Sequence, residues 1–358
     1  MTPNINTASS ILKISATALQ GNYKFLCAQS APALCAPVVK ANGYGLGIEN
    51  VVGILNASNP PLYFVATLEE AIECRKHTSH KIATLNGLFK NAESEYKAHN
   101  IIPVCGSYDD IKRAENFNLE SIWQIDTGMN RMGIRFDEID TLKNYKAPFI
   151  IMSHFISSED LNDPDNQKQM DRFDDIKKIL KPLCPHSLFS LSNSSGIFLP
   201  PTATHDLTRA GIALYGSNPT PDQKNPMQAV VNLSTRILRT DNAKTNETAG
   251  YNATYTFTKP SRLATVSLGY ADGIPRSTTH KLNLVWHGHL CPVRGRISMD
   301  TIIVDITELP DTLPEPQIGD FMDVICPAQT IDDIASSAGT ISYEILTSLS
   351  QRATRILV

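Results

Sequence analysis

LCAPVVKANGYG, residues Leu34–Gly45, is the stretch on which the fold is decided. Its first seven residues, Leu34–Lys40, form an apolar run that ends in a lysine and enters a glycine-bearing turn. Seven more short apolar runs follow within the first 216 residues: Leu62–Ala66, Ile82–Leu85, Ile101–Cys105, Ser121–Ile125, Phe149–Ser153, Leu188–Leu191 and Leu207–Leu214. Amphipathic, charge-faced stretches lie between them, among them Thr67–Thr78, Asp109–Phe117 and Asp165–Leu180. Strands that are apolar on both faces and alternate with helices belong to a parallel sheet covered on both sides. Eight such units predict an α/β fold, a (β/α)8 TIM-like barrel, over an open doubly wound sheet. The eighth run is the weakest strand, because Arg209 and Gly211 interrupt it.

At Gly216–Gln228 (GSNPTPDQKNPMQ) proline, asparagine and other polar residues crowd together, which suits a domain boundary. Beyond it the runs Arg262–Gly269, Lys281–Trp286, Thr301–Ile306 and Asp320–Ile325 alternate, with little helix except near Ile331–Ser337. Two domains are therefore expected: the barrel over residues 1–225 and a mostly-β C-terminal domain over 226–358. A length of 358 residues accommodates both.

Composition excludes several classes of function. Lys+Arg number 32 against 36 Asp+Glu, so the net charge of −4 carries no basic surplus for a nucleic acid. With 42% hydrophobic and 19% charged residues, the chain has the balance of a folded globular protein. No apolar run approaches the roughly 18 residues that span a bilayer. Met1–Ser10 has neither the basic lead nor the apolar core of a secretory signal, which points to the cytoplasm. Cys27, Cys35, Cys74, Cys105, Cys184, Cys291 and Cys326 are scattered, with no C-x-x-C pair or other metal-ligand spacing. They read as buried thiols in a reducing compartment, and no metal is expected.

The chemistry of a β/α barrel sits at the C-terminal ends of its strands. Lys40 follows the first run, and two readings apply to it. It is either a snorkelling surface lysine or an amine whose pKa is lowered by desolvation, fit to form a Schiff base. After the sixth run comes Ser153-His154-Phe155, where a lone histidine is more often a satisfied structural residue than a functional one. The seventh run ends in Ser192-Asn193-Ser194-Ser195-Gly196, and the eighth region holds Arg209-Ala210-Gly211-Ile212. Small polar residues and bare N–H groups after strands seven and eight are where barrels bind phosphate. A lysine on strand one with a phosphate site opposite suggests pyridoxal 5′-phosphate (PLP), which carries an aldehyde and a phosphate on one ring.

At these residues the sequence resembles the alanine racemase family, PLP enzymes of fold type III, over nearly its whole length. The matching stretches run in the family's order: ILKISATALQGNYKFL (Ile11–Leu26), VVKANGYGLG, DTGMNRMG (Asp126–Gly133), SHF, NSSG, RAGIALYG, ATYTF (Ala253–Phe257), LGYADGIPR (Leu268–Arg276), GRISMD (Gly295–Asp300) and SYEILTSLSQR (Ser342–Arg352). The resemblance implies an isomerase that interconverts L- and D-alanine, supplying D-alanine for peptidoglycan. Lys40 would hold PLP and act as base on the D face. Tyr270 would act on the L face, delivered by the second subunit of a head-to-tail homodimer with shared sites. A phenol ordinarily loses its proton near pH 10, so a tyrosine base needs a helpful neighbour. The resemblance supplies His154 for this, with Arg209 beyond it at the pyridine nitrogen. Tyr44, Ser194, Gly211, Ile212 and Tyr343 match the phosphate positions, and Asn193 stands among the cofactor contacts. Arg131 matches the arginine of the substrate carboxylate, joined by the backbone N–H of Met299. Tyr255 and Asp300 match channel and interface positions, where packing explains them equally well.

Three positions depart from the family pattern. Gln124 stands where many members carry a carbamylated lysine, Leu46 replaces a histidine, and Asn252 replaces a glycine, which suggests a left-handed backbone there. None touches the Lys40 and Tyr270 pair. The alternatives are a broad-specificity or serine racemase of the same fold, a fold-type III decarboxylase, or a non-catalytic PLP carrier. The carrier lacks a second domain, so LGYADG and GRISMD argue against it.

Overall fold

The computed structural model describes residues 5–358. The first four residues of the Met1–Ser10 stretch read for an export signal lie outside them. The chain divides into two compact units, one of Leu19–Gln228 and one that joins Ala229–Val358 to the described residues up to Ala18.

Leu19–Gln228 is the barrel. Its strands are Leu34–Pro37, Leu62–Val65, Lys81–Thr84, Ile101–Cys105, Ile122–Asp126, Ile150–Met152, Leu188–Ser190 and Leu207–Ala210. Each pairs in parallel with a neighbour. The ring closes where Leu207–Ala210 pairs with Leu34–Pro37 and where Val38 bridges Phe64. Asp206 N–H to the Phe189 carbonyl and Arg209 N–H to the Ser192 carbonyl complete it on the other side. Most strand residues are buried, as the continuous apolar runs require. Helices start where side chains satisfy their first N–H groups: the Thr67, Ser107 and Asp163 oxygens accept from Glu70, Asp110 and Asp165. The eighth run splits at its glycine into the strand Leu207–Ala210 and a 3-10 turn, Ile212–Tyr215. Arg209 lies within that strand and does not end it.

The second unit is β-rich and changes the expected division of the chain. Ser10–Ile14, assigned in sequence to the barrel, pairs antiparallel with Val231–Ala243 and parallel with Thr354–Leu357. The reason is visible in burial: Ile11, Leu12 and Ile14 are buried between two strands of this sheet. Val231–Ala243 also pairs with Ser261–Val266 and with Phe321–Ile325, so the sheet is organised around one strand of 13 residues. Asn283–Trp286, His289–Pro292 and Ile302–Asp305 extend it, and two helices follow, Ile331–Ala338 and Ser342–Ser348. Among the described residues no helix is long and apolar enough to cross a membrane. All seven cysteines are free, and six of them are buried.

Leu12 is fully buried in the strand that joins the chain's start to its end. Leu12→Ala should lower unfolding free energy by about 2–5 kcal/mol, read from urea denaturation. A near-neutral result would show that this strand is not part of the core.

Candidate active site

The ends of the barrel strands carry a polar cluster, and each member has a local reason for its place. Lys40 follows the first strand, and the residues after it enter a left-handed turn: Ala41, Asn42, Gly43, Tyr44 and Gly45 have φ of 53°, 55°, 63°, 52° and 82°. Left-handed backbone costs a non-glycine residue roughly 1–2 kcal/mol, so a run of this kind needs holding. Gly43 N–H donates to the Val39 carbonyl at 2.9 Å and Gly45 N–H to the Ala41 carbonyl at 2.8 Å. The Asn42 side-chain oxygen accepts from Ile48 N–H at 2.8 Å. Burial lowers the pKa of Lys40, the positive field of Arg131 lowers it further, and Glu70 opposes both.

Arg209 lies inside the barrel at 4% exposure. Its guanidinium donates to the carbonyls of Ser153, Ser190 and Leu191 and to the Ser190 hydroxyl, and it sits 3.3 Å from His154 Nδ1. Burial pushes its pKa down to about 10, which leaves it charged at neutral pH. His154 is pushed down to about 3, first by burial and then by Arg209, Arg131 and Lys40. Its imidazole is therefore neutral. Gln169 fixes this segment from the helix Pro164–Leu180: its amide donates to the His154 carbonyl and to Thr127 Oγ1, and its oxygen accepts from Ile156 N–H. Neither Gln169 nor Thr127 was visible as a site residue in the sequence, since both read as ordinary polar positions.

After strand seven, the Asn193 side-chain oxygen accepts from Ser158 Oγ and Gly196 N–H, each at 2.9 Å, and shapes the turn. The Ser194 hydroxyl accepts from the N–H groups of Gly211 and Ala213 at 2.8 and 3.3 Å. Gly211 N–H thus has a side-chain partner in place of the open position expected for it, and Ile212 begins the short 3-10 turn that follows. A Cβ on Gly211 would fall 2.6 Å from Tyr44 Oη, so only glycine lets that ring in. Tyr44 stacks on Tyr215 with 4.4 Å between centroids. Arg131 is exposed, on the loop that Asp126 braces by accepting from the N–H groups of Gly128, Met129 and Asn130. Gln124 is buried and donates to the Met132 carbonyl at 3.2 Å. The bond ends on the backbone of the residue after Arg131. Leu46, the second departure, is fully buried.

The second unit brings together another set of the expected residues. Tyr270 and Ala271 donate their N–H groups to the Ser298 and Met299 carbonyls, each at 3.1 Å. The two loops touch so closely that a Cβ on Gly269 would fall 2.1 Å from the Met299 oxygen. Tyr270 and Met299 are exposed at 42% and 49%. Arg352 donates to Asp300 at 2.6 Å and stands 3.7 Å from Asp272, whose carboxyl is raised by burial. Tyr343 lies in the helix Ser342–Ser348. Arg294 stacks over Tyr255 at 4.6 Å, so that ring has a packing partner. Asn252 is left-handed at φ 62°.

A lysine, a buried arginine and a neutral histidine at the strand ends, with a second domain of the β class, define a two-domain β/α-barrel enzyme. Comparison with known proteins narrows the class. Residues 14–219 match the model of the alanine racemase N-terminal domain and residues 230–357 that of the C-terminal domain. The alanine racemase of Acidiphilium cryptum is 38% identical over 97% of this chain and 98% of its own length. The catabolic alanine racemase of Mesorhizobium japonicum is 39% identical over 96% of this chain and 92% of its own. A crystal structure of alanine racemase from Bartonella henselae, with covalently bound pyridoxal phosphate, superposes with a TM-score of 0.90 at 35% identity, covering 98% of this chain and all of that one. The chain belongs to the alanine racemase family.

The neutral His154 has a consequence for stability. An unfolded histidine takes up a proton near pH 6.5, whereas native His154 does so only near pH 3. Above pH 6.5 neither state binds the proton and the group contributes no pH dependence. Below it the unfolded chain gains a proton that the fold refuses, so stability falls by about 1.4 kcal/mol per pH unit until the native imidazole titrates. His205, lowered to about 4 by burial and Lys177, acts in the same direction. His154→Asn should flatten the slope of unfolding free energy between pH 6 and 4 by about 1.4 kcal/mol per unit. Parallel slopes in urea titrations would contradict a neutral His154.

Proposed function

We propose that the chain is a pyridoxal-phosphate-dependent isomerase that interconverts L- and D-alanine, with Lys40 and Tyr270 as its two proton-moving groups. Lys40 carries the reading: it is an amine at the end of a buried strand, with its charged form disfavoured by burial and by Arg131. Membership of the alanine racemase family over the full length supports it. The residues also fit the cofactor. An amine whose charged form is disfavoured suits the aldehyde, a charged arginine suits the ring nitrogen, and the Ser194 hydroxyl, which accepts from Gly211 and Ala213 N–H, has its own O–H to donate to a phosphate.

Bound PLP supplies an electron sink that lets the Cα–H bond of an amino acid ionise. Lys40 would hold it, with Tyr44, Asn193, Ser194, Gly211, Ile212 and Tyr343 as the remaining contacts and His154 beside Arg209. Arg209 retains its proton at neutral pH, so beside the ring nitrogen it would offer a hydrogen bond without giving up that proton. A ring nitrogen left unprotonated in this way would make a weaker electron sink, which would disfavour transamination. Arg131 and the Met299 N–H orient the substrate carboxylate. Racemisation needs an acceptor on each face of one carbon: Lys40 serves the D face and Tyr270 the L face. The resemblance to the family carries the homodimer, in which each Tyr270 would serve the partner's barrel. Asp300 and Tyr255 belong to that interface and channel. We assign the reaction to the cytoplasm, in keeping with the free cysteines, and its product to peptidoglycan synthesis. A degradative role is the second reading, because the relatives from Mesorhizobium japonicum and Agrobacterium fabrum are catabolic alanine racemases. A need for D-alanine in cells lacking the gene separates the two, and a panel of amino acids tests substrate breadth.

With L-alanine in heavy water, the wild-type protein should exchange the α-proton and form D-alanine, followed by proton NMR and chiral chromatography. No exchange would remove the proposal. Tyr270→Phe should abolish L-to-D turnover while PLP still becomes fixed to Lys40 on borohydride reduction; wild-type rates in both directions would refute the two-base assignment. Arg131→Ala should impair turnover far more than Gln124→Ala, because Gln124 acts only through the Met132 carbonyl. Equal, negligible effects would sink that assignment.

A further inference from the structure

We propose that Glu70 is a positioning residue for Lys40, its carboxylate clamping the left-handed turn that carries the lysine to the end of the neighbouring strand. The inference rests on the assignment of Lys40 as the cofactor lysine. Glu70 lies in the first turn of the helix Leu68–Arg75, where an acidic residue ordinarily complements the helix dipole. Here that task is done by others. Thr67 Oγ1 accepts from Glu70 N–H, and Glu69 is the carboxylate lowered by its own backbone N–H and by Thr67. Both Glu70 oxygens turn away from their helix: Oε1 accepts from Ala41 N–H at 2.6 Å and Oε2 from Ala66 N–H at 2.8 Å.

Ala41 is the residue after Lys40 and the first in the left-handed run, so its N–H direction sets how the turn leaves the strand. Ala66 immediately follows the second barrel strand. One carboxylate therefore ties the strained turn to a rigid strand end through two charge-assisted hydrogen bonds, which are stronger than neutral ones. The same charge opposes Arg131 at the Lys40 amine, so its removal leaves that amine under an uncompensated positive field. Catalysis that requires an amine held to within a fraction of an ångström is sensitive to such a clamp.

The test compares Glu70→Ala and Glu70→Gln in the PLP-loaded protein. Glutamine keeps a neutral acceptor for Ala41 but sets an N–H against that of Ala66, so it should rescue in part. Amide hydrogen exchange by mass spectrometry should show the Lys40–Gly45 segment losing protection in the alanine variant, with an intermediate loss in the glutamine variant. The helix Pro164–Leu180 should be unchanged in both. In turnover of L-alanine, kcat should fall on the order of 10²-fold for Glu70→Ala with KM nearly constant, and less for Glu70→Gln. Wild-type exchange and kcat in both variants would overturn the proposal. So would a general loss of protection across the barrel, which would mark Glu70 as a packing residue. If wild-type protein does not racemise alanine, the function proposed above fails, while the exchange data still decide the clamp.

Discussion

The barrel depends on one unusual arrangement, a buried guanidinium satisfied by carbonyl and hydroxyl oxygens. Arg209 reaches from the eighth strand to the carbonyl of Ser153, just past the sixth, and to those of Ser190 and Leu191 at the end of the seventh. A charge taken out of water is tolerable only if its donors are occupied. In meeting that condition Arg209 fixes the relative heights of three strand ends, which are the ends that bear the chemistry. Burial keeps His154 neutral and the nearby Arg209 charge reinforces it, so the same side chain meets a structural requirement and adds to an electrostatic one. Lysine in its place has one ammonium and no planar fork to span these carbonyls.

Around that fixed point the barrel end combines rigid and strained parts. Strands seven and eight present a serine pinned by two N–H groups and a glycine that admits an aromatic ring. Strand one presents a lysine on a left-handed turn, a conformation that persists only where its surroundings determine it. The loop bearing Arg131 is braced by Asp126 from within and by Gln124 through the Met132 carbonyl.

Eight apolar runs were legible as eight strands because a strand buried on both faces needs no alternation, only continuity. Val231–Ala243 was not legible. Its register shifts where it passes from one partner to another, and its second half is polar and exposed, so neither period survives. Ser10–Ile14 was placed with the barrel and not with the second unit, since its partners lie more than 200 residues away. Lys40, Arg209 and His154 stood out because strand ends carry function in this architecture. Glu70 and Gln169 did not, because a glutamate in a first helical turn and a glutamine mid-helix look like ordinary solvated positions. Only the direction in which their oxygens point distinguishes them, and sequence does not record it.

The place of Ser10–Ile14 has a consequence for the order of assembly. This strand is made early, yet its parallel partner, Thr354–Leu357, is separated from it by the entire barrel sequence. Leu19–Gln228 contains all the partners its own strands need, so it is free to fold while the rest of the chain is still being made. The β-rich unit is not, because its sheet closes only when two distant segments meet, and such non-local pairing is slow. During synthesis Ser10–Ile14 therefore stays without its sheet partners until Val231–Ala243 and Thr354–Leu357 have been made.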